Sequence, residues 1–276
     1  MPEVAGRPLP LSTTLLASLA MLAFAGNSVL CRLALAETQI DAVSFTVLRI
    51  ISGALLLWAL LARRKRSRAK AGNWAGALAL TVYAAAFSFA YIQLDTGVGA
   101  LLLFGAVQLS MLLFGLLRGE RLGAAATAGL ILAMAGVVAL LLPGSSAPPL
   151  MSSLVMLLSG LAWGAYSLLG RSTRDPLAST ADNFLRSIPL VLLAALPFLD
   201  QVHWDTTGAL LAVLSGAVTS GLGYALWYSA LRGLGSIQAA SIQLSVPILA
   251  AAAGMLLFSE PLTPRLLIAA AAVLGG

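Results

Sequence analysis

Residues Leu161 to Arg171 read L-A-W-G-A-Y-S-L-L-G-R, and Leu22 to Arg32 read L-A-F-A-G-N-S-V-L-C-R. Each begins Leu-Ala and continues with an aromatic residue, Trp163 or Phe24. Small residues, a serine, aliphatic residues and an arginine then follow in order. The two stretches lie 139 residues apart in a chain of 276. Two further echoes keep nearly the same register. S-F-T-V-L-R-I-I (Ser44 to Ile51) is answered by D-N-F-L-R-S-I-P (Asp182 to Pro189), matching Arg49 with Arg186 at an offset of 137. R-G-E-R-L (Arg118 to Leu122) is answered by F-S-E-P-L (Phe258 to Leu262), matching Glu120 with Glu260 at an offset of 140. Three echoes in register, each carrying a paired charge, divide the chain into residues 1–147 and 148–276.

Composition says what kind of unit is repeated. The chain is 60% hydrophobic and 9% charged, whereas soluble domains are roughly half apolar and a quarter charged. So apolar a protein belongs in a bilayer. Segments of about 20 apolar residues, the length that crosses the hydrocarbon core, fall near 11–34, 42–62, 73–94, 97–117, 122–142, 150–170, 178–199, 207–231 and 236–258. A tenth begins near Leu262 and reaches Gly276 as a short span, read here as lacking its last turn and a polar tail. The first segment is long enough to span and lacks a charged leader region, so it reads as a retained helix and not a cleaved signal.

The formal charge of +6 does not point to nucleic acid, because six basic residues sit in one run beside an apolar segment, Arg63 to Lys70. That is the pattern of a cytoplasmic loop. With the N-terminus inside, twelve of the sixteen basic residues fall on the cytoplasmic side. Asp41, Asp95, Asp200, His203, Asp205 and Glu260 fall outside. Both termini are therefore expected in the cytoplasm. Five helices per unit, an odd number, turn the second unit upside down relative to the first. Inverted repeats of this kind are the usual scaffold of carriers with a midplane substrate site.

Ten helices in two inverted sets of five, the G-E-R-L and S-E-P-L turns, and the aromatic-rich sixth segment resemble the drug/metabolite transporter superfamily, EamA branch. The resemblance covers essentially the whole chain. Within that superfamily the sequence is similar to the YddG-type exporters of aromatic amino acids. The resemblance implies an all-α integral membrane fold in which helices 1–4 and 6–9 surround a central cavity and helices 5 and 10 brace it from outside.

Candidate residues follow from their placement. Charges inside a span are costly and usually functional, and only Arg49 and Arg186 lie well inside one. They read as gating or structural anchors, against the alternative that each snorkels to the headgroups. Asp182, four residues before Arg186, is placed for a local ion pair. The repeat further suggests cross-repeat pairs of Arg186 with Glu120 and of Arg49 with Glu260. Substrate-binding candidates are Phe24, Asn27, Trp163 and Tyr166 on the matched helices, and Tyr83, Phe87 and Tyr91 as one stripe on the third segment. Tyr224 and Trp227 on the eighth segment join them, with Gln108 and Gln243 as uncharged hydrogen-bonding groups. Each aromatic stripe has helix packing or an interfacial belt as its plainer explanation, and the glutamines have helix-to-helix bonding. Pro189 and Pro247 interrupt their segments and permit bending.

Absences narrow the chemistry. No Asp or Glu sits at mid-depth in any span, which argues against a cation-selective antiporter. An aromatic pocket with amide groups suits a neutral or zwitterionic small molecule, such as an aromatic amino acid. Cys31 is the sole cysteine and His203 the sole histidine, so neither an intrachain disulfide nor a multi-histidine metal site is expected, and no cofactor. H-E-x-x-H, G-x-S-x-G and paired intramembrane Asp are all missing, which disfavours a membrane enzyme. A proton-coupled drug or metabolite efflux pump and a flippase for lipid-linked substrates stay as alternatives on the same scaffold. The expected setting is a bacterial-type plasma membrane, where the chain works as a monomer or homodimer.

Overall fold

The structure is a computed structural model, and it describes residues 11–63, 72–117, 123–144, 146–170, 173–231, 233–234 and 242–275. Among these residues the chain is helical, with no strand. The first half supplies α1 (Leu11–Glu37), α2 (Ala42–Ala62), α3 (Trp74–Tyr91), α4 (Thr96–Leu117) and α5 (Ala124–Leu141). The second supplies α6 (Leu150–Gly170), α7 (Pro176–Ala195, continued by a 3-10 turn, Leu196–Gln201), α8 (Thr206–Leu231), α9 (Ser245–Phe258) and α10 (Pro264–Gly275). Seven of the described helices are long and apolar enough to cross a membrane. Thr127–Leu141, Ser245–Phe258 and Pro264–Gly275 are apolar but shorter. They lie in the segments expected as spans five, nine and ten.

Several helices start on residues that satisfy their free N–H groups. Asp41 accepts from Val43 and Ser44 at the start of α2, Asn73 from Gly76 at α3, and Asp205 from Gly208 at α8. These caps are worth about 1 kcal/mol each and mark where the chain enters its spans. Pro189 lies inside α7. Pro247 falls in the first turn of α9, directly after a turn at Leu244 that separates it from the helical Ile242 and Gln243, so the segment breaks where a proline's missing N–H leaves no intrahelical bond unmade.

The two halves interleave. α6 packs on α3 and α4, α7 on α2 and α3, α8 on α1 and α2, and α9 on α1 and α4. The core therefore forms between repeats more than within them. α5 and α10 pack mainly on each other and meet the rest through α4, as the family resemblance leads one to expect. Their contact is close at Gly136, where an added Cβ would come within 2.8 Å of Ala272. Arg265, at the start of α10, donates to the Leu142 carbonyl at the end of α5.

α2 and α8 cross most tightly. An added Cβ on Gly216 would fall on the Arg49 carbonyl and the Ser52 hydroxyl. At this crossing α8 widens into a π-helix over Ser215–Leu222, an irregularity that recurs at functional sites. Outward surfaces carry large apolar side chains, among them Leu256, Met151 and Ile268, as lipid-facing helices should.

Candidate functional site

A small central cavity lies between the repeats. Phe24, Asn27 and Ser28 of α1 form one wall, and Tyr83 and Phe87 of α3 a second. Leu103 and Phe104 of α4, Trp163 of α6 and Tyr224 of α8 complete it. Its volume is about 10 Å³, room for about one water molecule. The rings have closed on each other. Trp163 lies 4.6 Å from Tyr224, 5.0 Å from Tyr83 and 5.6 Å from Phe24, centroid to centroid. These are distances at which aromatic pairs attract through edge and offset contacts. A solute of amino-acid size therefore enters only after the rings separate.

Behind Tyr83 and Tyr224 stands Arg49, whose side chain does not snorkel. The residue is 1% exposed and its guanidinium is turned inward. Nε donates to the Ser220 hydroxyl at 3.0 Å, and Nη2 donates to the hydroxyls of Tyr83 and Tyr224, each at 3.0 Å. Its carbon stands 5.2 Å from the Tyr83 ring centre and 4.9 Å from that of Phe87, within the range of cation–π attraction. Asn27 is joined to the same network. Its Nδ2 donates to Tyr83 at 3.3 Å, and its Oδ1 accepts from Ser215, Thr219 and Ser220 at 2.7, 3.1 and 3.4 Å. The π-helical stretch of α8 provides those three hydroxyls. Arg49 is the one charged residue in the buried set of the described residues, and no Asp or Glu joins it there.

The expected pairing of Arg49 with Glu260 is not what the structure shows. Glu260 sits at a different place, where Asp95 and Arg32 also meet. Its carboxylate accepts from the Thr96 backbone N–H at 2.8 Å and lies 3.5 Å from Arg32 Nε. Arg32 also reaches Asp95 at 3.8 Å and donates to the carbonyls of Tyr91 and Ile92. The reason is local geometry. Ser259 ends α9 in the left-handed region, φ 55°, which folds Glu260 back over the first turn of α4. A carboxylate there answers the free N–H groups and positive end of that helix. The S-E-P-L turn is thus a strap binding α9, α4 and α1. Glu120 lies outside the described residues, as does the proposed pair of Arg186 with Glu120.

Arg186 has the local partner expected for it. It donates to Asp182 at 3.1 Å and lies 5.4 Å from the Trp74 ring centre. Asp182 also accepts from the Gly72 N–H, and Asn183 from the Asn73 N–H, so this part of α7 holds the start of α3.

Of the other candidates, Tyr166 packs next to Trp163 at 5.6 Å, and Trp227 next to Phe24 at 6.0 Å. Both stand behind the cavity wall. Tyr91 continues the stripe from Phe87 but donates to the Thr96 carbonyl, near the strap. Gln108 and Gln243 are not on the wall, and the side-chain carbonyl of each is buried without a hydrogen-bond donor. Sequence reasoning missed Ser28, Leu103 and Phe104 on the wall, and Ser215, Thr219 and Ser220 beside it. Serine and threonine in a span carry little signal by themselves. The S-x-x-x-T-S spacing in an otherwise apolar segment was the available one.

Comparison with known proteins agrees with this architecture. The chain matches the EamA-like transporter family twice, over residues 11–142 and 150–276. An uncharacterized protein of Pseudomonas aeruginosa is 63% identical over 265 residues, 96% of this chain and 92% of that one. An uncharacterized transporter of Archaeoglobus fulgidus is 26% identical over 257 residues, 87% of this chain and 86% of that one. A solved crystal structure shares the fold with a TM-score of 0.68, at 22% identity, covering 96% of this chain and 94% of the other. With both halves matched, the chain belongs to the EamA-like transporter family and is a multi-pass membrane transporter.

Proposed function

We propose that this transporter exports small neutral or zwitterionic metabolites, aromatic and other apolar amino acids foremost, by alternating access across a bacterial-type plasma membrane. One observation carries the reading: an aromatic cage of Phe24, Tyr83, Phe87, Phe104, Trp163 and Tyr224 lies between the repeats beside hydrogen-bonding groups. Such a cage offers apolar area to a ring or aliphatic side chain and polar groups to a head. The closed cavity suits an occluded conformation, and the inverted relation of the halves supplies two mouths of similar construction.

Movement is proposed to be uncoupled. A proton-driven carrier uses a buried carboxylate or histidine as its proton acceptor, and neither belongs to the buried set among the described residues. The topology proposed keeps both termini in the cytoplasm. A contact at one end supports it: the His203 N–H donates to Asp41, joining two residues that the charge rule assigns to the outer side.

Efflux from proteoliposomes loaded in turn with phenylalanine, tyrosine, tryptophan, leucine and lysine tests the reading, with and without a pH gradient. Aromatic amino acids should leave faster than lysine, at rates that the gradient does not change. Indifference to every aromatic amino acid would overturn the substrate, and acceleration by a gradient would overturn uncoupled movement.

A further inference from the structure

The polar groups beside the cavity are out of balance. Donors exceed acceptors. Arg49 brings five N–H groups and can accept nothing. Its Nη1, fully buried, has no hydrogen-bond partner. The hydroxyls of Tyr83 and Tyr224 lie 3.1 Å apart and both already accept from Arg49. Only one of their two phenol hydrogens can serve the contact between the oxygens, so the other lacks an acceptor in the network. The amide oxygen of Asn27 is already taken by three hydroxyls. Trp163 Nε1, on the cavity wall, is also buried without a partner.

A buried guanidinium with no carboxylate beside it is the costliest element of such a network, because its charge is held by hydroxyl dipoles and two ring faces alone. What would complete the network is an acceptor-only group with one negative charge and more than two lone pairs. A carboxylate is that group. A phosphate monoester would bring about two charges to a site with one cation, and an ammonium would meet the cation itself.

We propose that Arg49, Tyr83 and Tyr224 form the carboxylate-binding end of the transport site, and that the solute's carboxylate takes the donors left over among them. The aromatic cage then holds the side chain, and the preferred solutes are monocarboxylates with an apolar body, whether or not they carry an amine. Arg49 is on this view a specificity-determining residue and not a gate. The assignment rests on the reading of this cavity as the solute site.

Counterflow of labelled phenylalanine into proteoliposomes, challenged with unlabelled analogues, tests it. 3-Phenylpropionate, which keeps the carboxylate and lacks the amine, should compete about as well as phenylalanine. Phenethylamine and phenylalaninamide, which lack the carboxylate, should compete about tenfold or more weakly, the scale of one charge-assisted hydrogen bond. Arg49→Gln should erase the preference of acid over amide, and Arg49→Lys should keep part of it. Tyr83→Phe, which removes a hydroxyl and no charge, should weaken the preference without inverting it. Should Arg49→Gln fail to fold, the ranking of analogues on the unaltered protein decides by itself. Equal competition by acid, amide and amine would overturn the carboxylate end while leaving an aromatic transporter standing. No counterflow of any aromatic solute would remove the substrate reading and this assignment with it.

Discussion

Arg49 and Arg186 occupy matching places in the two repeats, yet the fold treats them as opposites. Arg186 is paired within its own helix. Its side chain is 21% exposed, and Asp182 one turn away accepts from it at 3.1 Å. Arg49 is buried, reaches across to residues 171 and 175 positions away, and meets hydroxyls in place of a carboxylate. Part of the difference is local, in whether an anion stands one turn before the arginine; the partners themselves are set by the packing. Asp182 stands four positions before Arg186, and Phe45 stands four before Arg49. Without a local anion, Arg49 has to find its partners across the repeat interface, where α8 supplies Ser220 and Tyr224. An inverted repeat thus gives a symmetric frame, and a single substitution of that kind makes the site within it one-sided.

That contrast breaks first under removal of charge. Arg49→Met should lower transport of an aromatic amino acid by about tenfold or more, whereas Arg186→Met should change it by less than about twofold. Counterflow in proteoliposomes reads both. A partly exposed i,i+4 pair contributes about 0.3–0.5 kcal/mol, and Arg186 does not line the cavity. Similar losses in the two variants would mean that the repeat-related arginines share one role.

The pairing of Glu260 sharpens the comparison at intermediate size. A double-mutant cycle on thermal unfolding in detergent should show coupling between Arg32→Gln and Glu260→Gln of about 0.5–1 kcal/mol. Arg49→Gln and Glu260→Gln should be additive, since no contact joins them. Coupling in the second pair and none in the first would restore the pairing suggested by the repeat alone.

The smallest expected effect is acid sensitivity at the loops that join α1 to α2 and α7 to α8. Burial pushes the Asp41 carboxyl up, but donation from Ser44, His203 and Val43 outweighs it and holds the group below its usual value. Asp205, on the surface, is lowered chiefly by the Gly208 N–H and also by that of Gln39. A depressed carboxyl contributes stability that is complete above its unfolded value and lost as pH falls through the folded one. Thermal stability should therefore hold from neutral pH down to about 4, the usual aspartate range, and decline below it. Asp41→Asn should flatten that decline. An unchanged acid profile in Asp41→Asn would show that these caps do not carry it.

Much of the cavity was legible because helix spacing is regular. Phe24 and Trp163 were found by the repeat, Tyr83 and Phe87 by their four-residue interval, and Asn27 by being polar in mid-span. Tyr224 was found with Trp227 as an aromatic pair on the eighth segment. The wall at Leu103 and Phe104 was not legible, because α4 is apolar around most of its circumference, with only Thr96, Gln108 and Ser110 polar. In a membrane helix the lipid face and the buried face carry the same residue types, so no pattern says which one turns inward.

The sequence by itself determined that the chain is a membrane protein, that it is an inverted repeat, and roughly where most of its helices lie. Those properties depend on local composition, loop charge and internal likeness, which are written along the chain. Only the tertiary structure decided that Arg49 is buried among hydroxyls while Arg186 is not, and that Glu260 straps Arg32 and Thr96. Those outcomes depend largely on contacts between residues more than a hundred positions apart, such as Arg49 with Ser220 and Glu260 with Thr96. They are fixed by how closely α2 can approach α8 at Gly216 and by the left-handed turn at Ser259, which no pairwise echo in the sequence contains.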